Sequence, residues 1–375
     1  MQQLRQRIDP FAAWIAAALL GVTALSATAV YQTTRPAVMG FLWPNVVGPI
    51  VARGSNSECV ALVDGAVKVP TGQCVAPAGG FAAGPDLTIL GAALLAVVLG
   101  FIVVGALLLL ETLDARETQA FFYAVVPFMA LTGALLALGQ GASRLPNGPL
   151  DLLPFPFNLG LVTSVIYLST VLLAVVAIAV GVFLERHGYV PSFNQFAASV
   201  GAVALAVTLI LLTALALGTD AGNLSLGSLF GMVFVLVVTT VLAAAVWAGL
   251  ARGMPDVVTG IGAMGLVVFW AFLLNGVATV VALDWSRLFG VDAIGFTPNF
   301  VGQIVVALTE ALLPTALGTA WPYLLVQLGI GIVVASSFEE AEVTTTTPAL
   351  LLLTAVVAFG LVTGVQVLVA MTFGL

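Results

Sequence analysis

The stretch VGQIVVALTEALLPTALGTAWPYLLVQ, Val301 to Gln327, holds one carboxylate, Glu310, in a run otherwise free of charge. A charged group at the centre of a bilayer costs roughly 3 kcal/mol on insertion scales, so an ionisable residue there is a functional hypothesis by default. Glu310 could relay protons, or stay neutral and donate a hydrogen bond to an amide such as Asn275 or Gln327. Gln303 lies seven residues before Glu310 and shares its helix face; Asn275 and Thr279, four apart, share another. Gln140 and Tyr167 complete the intramembrane polar candidates, with Tyr123, Asn158, Thr163 and Ser164 as further polar positions within spans. For the amides and hydroxyls the ordinary role is interhelical hydrogen bonding, worth about 0.6–2 kcal/mol each.

Other chemistry is missing. The single histidine, His187, stands at a loop edge in ERHGYV, so no Ser/His/Asp set and no histidine-based metal site can form within the membrane. No phosphate-binding loop is present, and no cofactor or metal is expected. Without a basic patch, nucleic acid is not expected as a partner either. The expected partners are the lipid bilayer and other membrane proteins, with any small-molecule ligand left open.

The elements that hold these residues follow from hydropathy. The chain of 375 residues is 61% hydrophobic and 7% charged, with a mean hydropathy of +1.19. Soluble domains carry about 25% charged residues, so the solvent for this chain is lipid. The fold class predicted is all-α, a polytopic transmembrane bundle forming a single integral membrane domain over 1–375. Spans are predicted at 11–31, 87–110, 120–139, 158–184, 196–218, 228–250, 257–283, 317–337 and 348–373, about nine segments near the ~20 residues needed to cross. A short broken segment near 301–316, divided from the following span by Pro314 and Gly318, is too short to cross cleanly and is expected to re-enter or line a cavity. The first span reads as an anchor, with a cleaved signal as the alternative because Ala27-Thr28-Ala29 resembles a cleavage site.

Basic residues set the orientation. Arg5, Arg7, Arg116, Arg186 and Arg252 all fall on one side if the N-terminus is cytoplasmic, while Arg144 and Arg287 are exceptions. The Cys-containing loop 34–86 is then extracellular, where Cys59 and Cys74 form a disulfide, and Asn223 becomes a glycan acceptor in Asn223-Leu224-Ser225. Within that loop VMGFLWPNVVGPIV, 38–51, is too short and too broken to span, and is expected in the outer interface with Trp43 at headgroup depth. The net charge of −7 with Lys68 as the single lysine fits a halophilic source and a GC-rich genome equally well.

The order of several stretches resembles the archaeal integral membrane proteins of domain-of-unknown-function 63. They are IDPFAAW (8–14), FLWPNVVGPIVA (41–52), FFYAVVPFMALTGAL (121–135), PFPFNLGLVTSVIYL (154–168), LLNGVATVVALD (273–284), TEALLPTALGTAWPYLLVQL (309–328) and GVQVLVAMTFGL (364–375). The resemblance implies a helical membrane fold and no reaction. The family's interior charges are replaced here: Leu136, Gly139 and Gln140 stand for an Arg-x-x-Glu-Asp run, Phe272 and Asn275 for a His-x-x-Asp pair, Gln327 for a lysine, and Val365, Gln366 and Val367 for Thr-Arg-Asp. Paired removal of buried ions is tolerated, whereas removing one partner strands a charge. The resemblance therefore implies a non-catalytic paralogue acting as a membrane scaffold or binding subunit. A proton-coupled transporter using Glu310, or an intramembrane enzyme on lipid-like substrates, are the alternatives.

Overall fold

Long runs of Ala, Leu and Val satisfy their backbone groups in the only way open to an isolated segment in hydrocarbon, as helices. The computed structural model describes residues 9–30, 35–55, 57–63, 66–69, 74–75, 80–86, 88–112, 118–145, 153, 157–218, 224–290, 300–312, 318–338 and 347–375. Among them, six helices are long and apolar enough to cross a membrane, and several apolar helices are shorter. The contacts divide the chain into two compact units, Met1–Ala115 with Pro146–Val175, and Arg116–Leu145 with Val176–Leu375.

The first unit holds α1 (Pro10–Val30) and α4 (Ile89–Thr112), antiparallel, with Trp14 of α1 stacked on Phe101 of α4. Between them, α2 (Arg35–Leu42) and α3 (Gly48–Gly54) are joined through a π turn at Trp43–Val47, where Pro44 disturbs the hydrogen-bond ladder. An antiparallel sheet follows, of β1 (Val60–Val63), β2 (Ala66–Lys68) and β3 (Phe81–Ala83) in the order β2-β1-β3, with Ala61 opposite Lys68 and Val60 opposite Ala83. The helical bundle thus carries a small β element that apolar periodicity did not signal. Trp43 is 2% exposed, packed with Val51, Ala52, Val60, Leu62 and Ala83. The sheet residues Val60, Leu62 and Ala83 supply part of its apolar cover. Thr163–Arg186 forms α6, preceded by a 3₁₀ turn at Phe157–Leu161, and the division between units falls inside it.

In the second unit, α5 (Thr118–Ser143), α7 (Phe193–Gly218), α8 (Leu226–Gly253), α10 (Met264–Asp284), α12 (Trp321–Ser337) and α13 (Thr347–Phe373) pack together. A capping box starts α8, with Ser225 and Ser228 each accepting the other's backbone N–H. The predicted span 257–283 is two helices, a short α9 (Pro255–Ile261) and α10, broken at Gly262, whose φ of 61° leaves the helical region. Helix α10 is the hub, with 78% of its most apolar window buried inside the protein against 22% for α8.

Neighbour pairs fix the directions within this unit. Gly276 lies on Leu324 and Gly331 on Phe269, so α12 runs antiparallel to α10. Gly360 meets Phe272 and Gly364 meets Asn275, so α13 runs parallel to α10. Gly133 meets Val362 and Gly141 meets Leu375, which makes α5 parallel to α13. The predicted broken segment is α11 (Phe300–Leu312), whose 13 residues rise about 20 Å, short of a crossing. Pro314 lies outside the described residues.

Candidate functional site

Three of the polar positions named from sequence come together at the contact between α10 and α12. Asn275 and Thr279 are each 1% exposed, as is Tyr323. Asn275 Nδ2 donates to Tyr323 Oη at 3.0 Å, and Thr279 Oγ1 donates to the Asn275 carbonyl at 2.7 Å. The shared face read from the four-residue spacing is present. Gln327, one turn beyond Tyr323, is fully buried, and neither its Oε1 nor its Nε2 has a partner among the described residues. A buried polar group left unpaired costs about 1–3 kcal/mol.

Glu310 is elsewhere. It is exposed on α11, and its expected tether to Asn275 or Gln327 is not formed, since Asn275 Nδ2 is committed to Tyr323 and Gln327 is unpartnered. Gln140 is exposed near the end of α5. Tyr167 lies in the first unit, in the wall of a groove described below. Cys59 and Cys74 are bonded to each other, with Cα atoms 5.4 Å apart. Asn223 falls outside the described residues.

Two further residues organise this region: Asp284, which sequence reading passed over, and Gly318, which it named only as a break. Asp284, the last residue of α10, accepts from the backbone N–H of Thr319 at 2.8 Å and of Ala320 at 3.0 Å, capping the start of α12. Negative charge at a helix start complements the free N–H groups there. Gly318 has φ 83°, and a Cβ on it would strike the Asp284 carboxylate, so glycine is required on two counts. The signal was present in the sequence as an acid ending one apolar run and Gly-Thr opening the next. Arg144, an exception to the charge rule, also acquires a role: its Nη1 donates to the Gly374 carbonyl at 3.1 Å, where the α13 helix dipole is negative.

Chemically, the cluster can donate and accept hydrogen bonds but holds no acid–base pair. Among the described residues no group of three or more His, Cys, Asp or Glu side chains could bind a metal ion. No family model matches the chain, and comparison with curated proteins and with solved structures also finds no match. The likeness to domain-of-unknown-function 63 gains no support from them, and the functional reading rests on this chain's own residues.

Proposed function

We propose that this chain is a multi-pass integral membrane protein of about nine spans, acting as a non-catalytic scaffold or binding subunit. The observation that carries the reading is the chemistry of the α10–α12 contact: its buried side chains are neutral, and its one carboxylate, Asp284, is spent on capping. A proton carrier or an acid–base enzyme needs a titrating group inside the packed helices. Glu310, the candidate for that work, sits exposed on a helix too short to cross. The shorter helices join the count because α12 must return the chain between α10 and α13, which run the same way. The antiparallel α1 and α4 form a similar pair.

The N-terminus is placed in the cytoplasm and the Cys loop outside, a reading supported by the positions of the arginines and by the Cys59–Cys74 bond, which persists in oxidising compartments. The test is proton flux in liposomes containing the purified protein. Flux no greater than in empty liposomes is expected. Robust flux abolished by Glu310→Gln would replace this reading with a proton-coupled carrier.

A further inference from the structure

The first unit contains a groove of about 350 Å³, within the ~300–1,000 Å³ range of ligand sites. One wall is a single face of α4, with Ala92, Leu95, Ala96 and Leu99 at the i, i+3, i+4, i+7 spacing. The facing wall is the start of α6, and α3 and Pro85 complete the lining. From Ala92 to Leu99 the apolar wall descends about 10 Å along the helix.

Polar groups gather on α3 and the start of α6. Arg53 donates through Nε to the Pro85 carbonyl at 2.9 Å and through Nη2 to Asp86 at 3.2 Å, both just ahead of α4. Those bonds hold the guanidinium at the rim of the groove and leave Nη1 uncommitted among the described residues. Asp86 is 90% exposed, so its ion pair is screened by water and does not cancel the arginine's charge. On the α6 wall stand Thr163, Ser164 and Tyr167, none of whose hydroxyls is hydrogen-bonded within the described residues. Many helical hydroxyls elsewhere in the chain bond back to the preceding turn, as Thr170 does to the Ile166 carbonyl, though Thr239 does not. A cation and unpaired hydroxyls over an apolar trough, on helices immersed in lipid, match one kind of molecule.

We propose that this groove binds a single phospholipid with an anionic headgroup, its phosphate on Arg53 and the Thr163, Ser164 and Tyr167 hydroxyls and an acyl chain along Ala92 to Leu99. The site lies apart from the α10–α12 contact and does not depend on Glu310 being inactive. Lipid held there would also fill the space between α3, α4 and α6, fastening elements that share few other side-chain bonds.

The experiment uses the full chain, purified in detergent and stripped of lipid, then given phosphatidylglycerol or phosphatidylcholine of identical acyl chains, or glycerol phosphate alone. Native mass spectrometry counts what is retained. One phosphatidylglycerol per chain is expected, preferred over phosphatidylcholine about tenfold, with glycerol phosphate not retained. Arg53→Gln should abolish the preference while leaving phosphatidylcholine unchanged. Ala96→Trp, at an exposed position away from the Arg53–Asp86 pair, should reduce both lipids about tenfold by filling the trough. Equal retention of the two lipids by the parent protein overturns the proposal without reference to any variant. So does an unchanged preference in Arg53→Gln, unchanged retention in Ala96→Trp, or retention of glycerol phosphate equal to the lipid.

Discussion

In the second unit helices meet backbone to backbone: a Cβ on Gly276 would lie 3.0 Å from the Leu324 Cα, and one on Gly364 2.8 Å from the Asn275 nitrogen. In the first unit Gly91 and Gly105 of α4 lie against the Asn45 carbonyl and the Trp14 ring, while Gly21 and Gly100, on the long helices α1 and α4, have nothing within 4 Å; a disulfide, a three-stranded sheet and the small core around Trp43 add to the unit's cohesion. Lipid tails are as apolar as leucine, so burying apolar surface does not by itself drive helices together in a bilayer. Close approach and paired polar groups must do so, and in the second unit the glycine contacts and the Asn275–Tyr323 bond supply both, Gln327 excepted. The first unit has a covalent tie in its loop and a groove between its helices. One region is packed through its interior, and the other leaves a space between its helices.

The largest effect that could break this contrast comes from glycine. Gly364→Leu should cost about 3 kcal/mol or more, since overpacking against backbone cannot relax by a rotamer change. Gly100→Leu should change stability by about 0.5 kcal/mol or less. Denaturant titration in detergent measures both, and equal losses would erase the distinction. Reducing Cys59–Cys74 comes next. Their separation of 15 residues predicts a loss of about 3 kcal/mol, confined to the first unit. Hydrogen exchange should rise in 57–69 and 80–86 and stay unchanged in α10, α12 and α13. The smallest effect has the opposite sign: Gln327→Leu should stabilise by about 1–2 kcal/mol, because it removes an amide buried without partners. A thermal shift downward instead would mean that a bound water satisfies Gln327.

Helix positions were legible because crossing lipid demands length and apolarity, which composition records directly. The predicted 196–218 and 228–250 fall within α7 and α8 to a few residues. The break at Gly262 was not legible, because a glycine in an apolar run reads equally well as a packing residue and only its φ separates the two. Nor were the strands, since VALV is as compatible with a helix as with β1 until the disulfide and the neighbouring core close over it. At the candidate site, the Asn275–Thr279 face followed from spacing, but Tyr323 as the partner did not. Its choice depends on how α10 and α12 are rotated against each other, over 48 residues of separation. The setting of Glu310 was not legible for a related reason: its neighbours are apolar along the chain, yet its side chain is exposed on α11.

Asp284 joins residues 35 and 36 positions apart, so the chain between them leaves and returns at one clasp. Everything that departs there, α11 and Glu310 included, hangs from a knot already tied by α10 and α12. Beyond Phe289, which packs on Gly227 and Gly231 of α8, that excursion could be lengthened, shortened or exchanged without touching the hairpin beneath it. Diversity among descendants of this chain should therefore gather there first, making it the natural place to graft a new specificity onto an unchanged foundation.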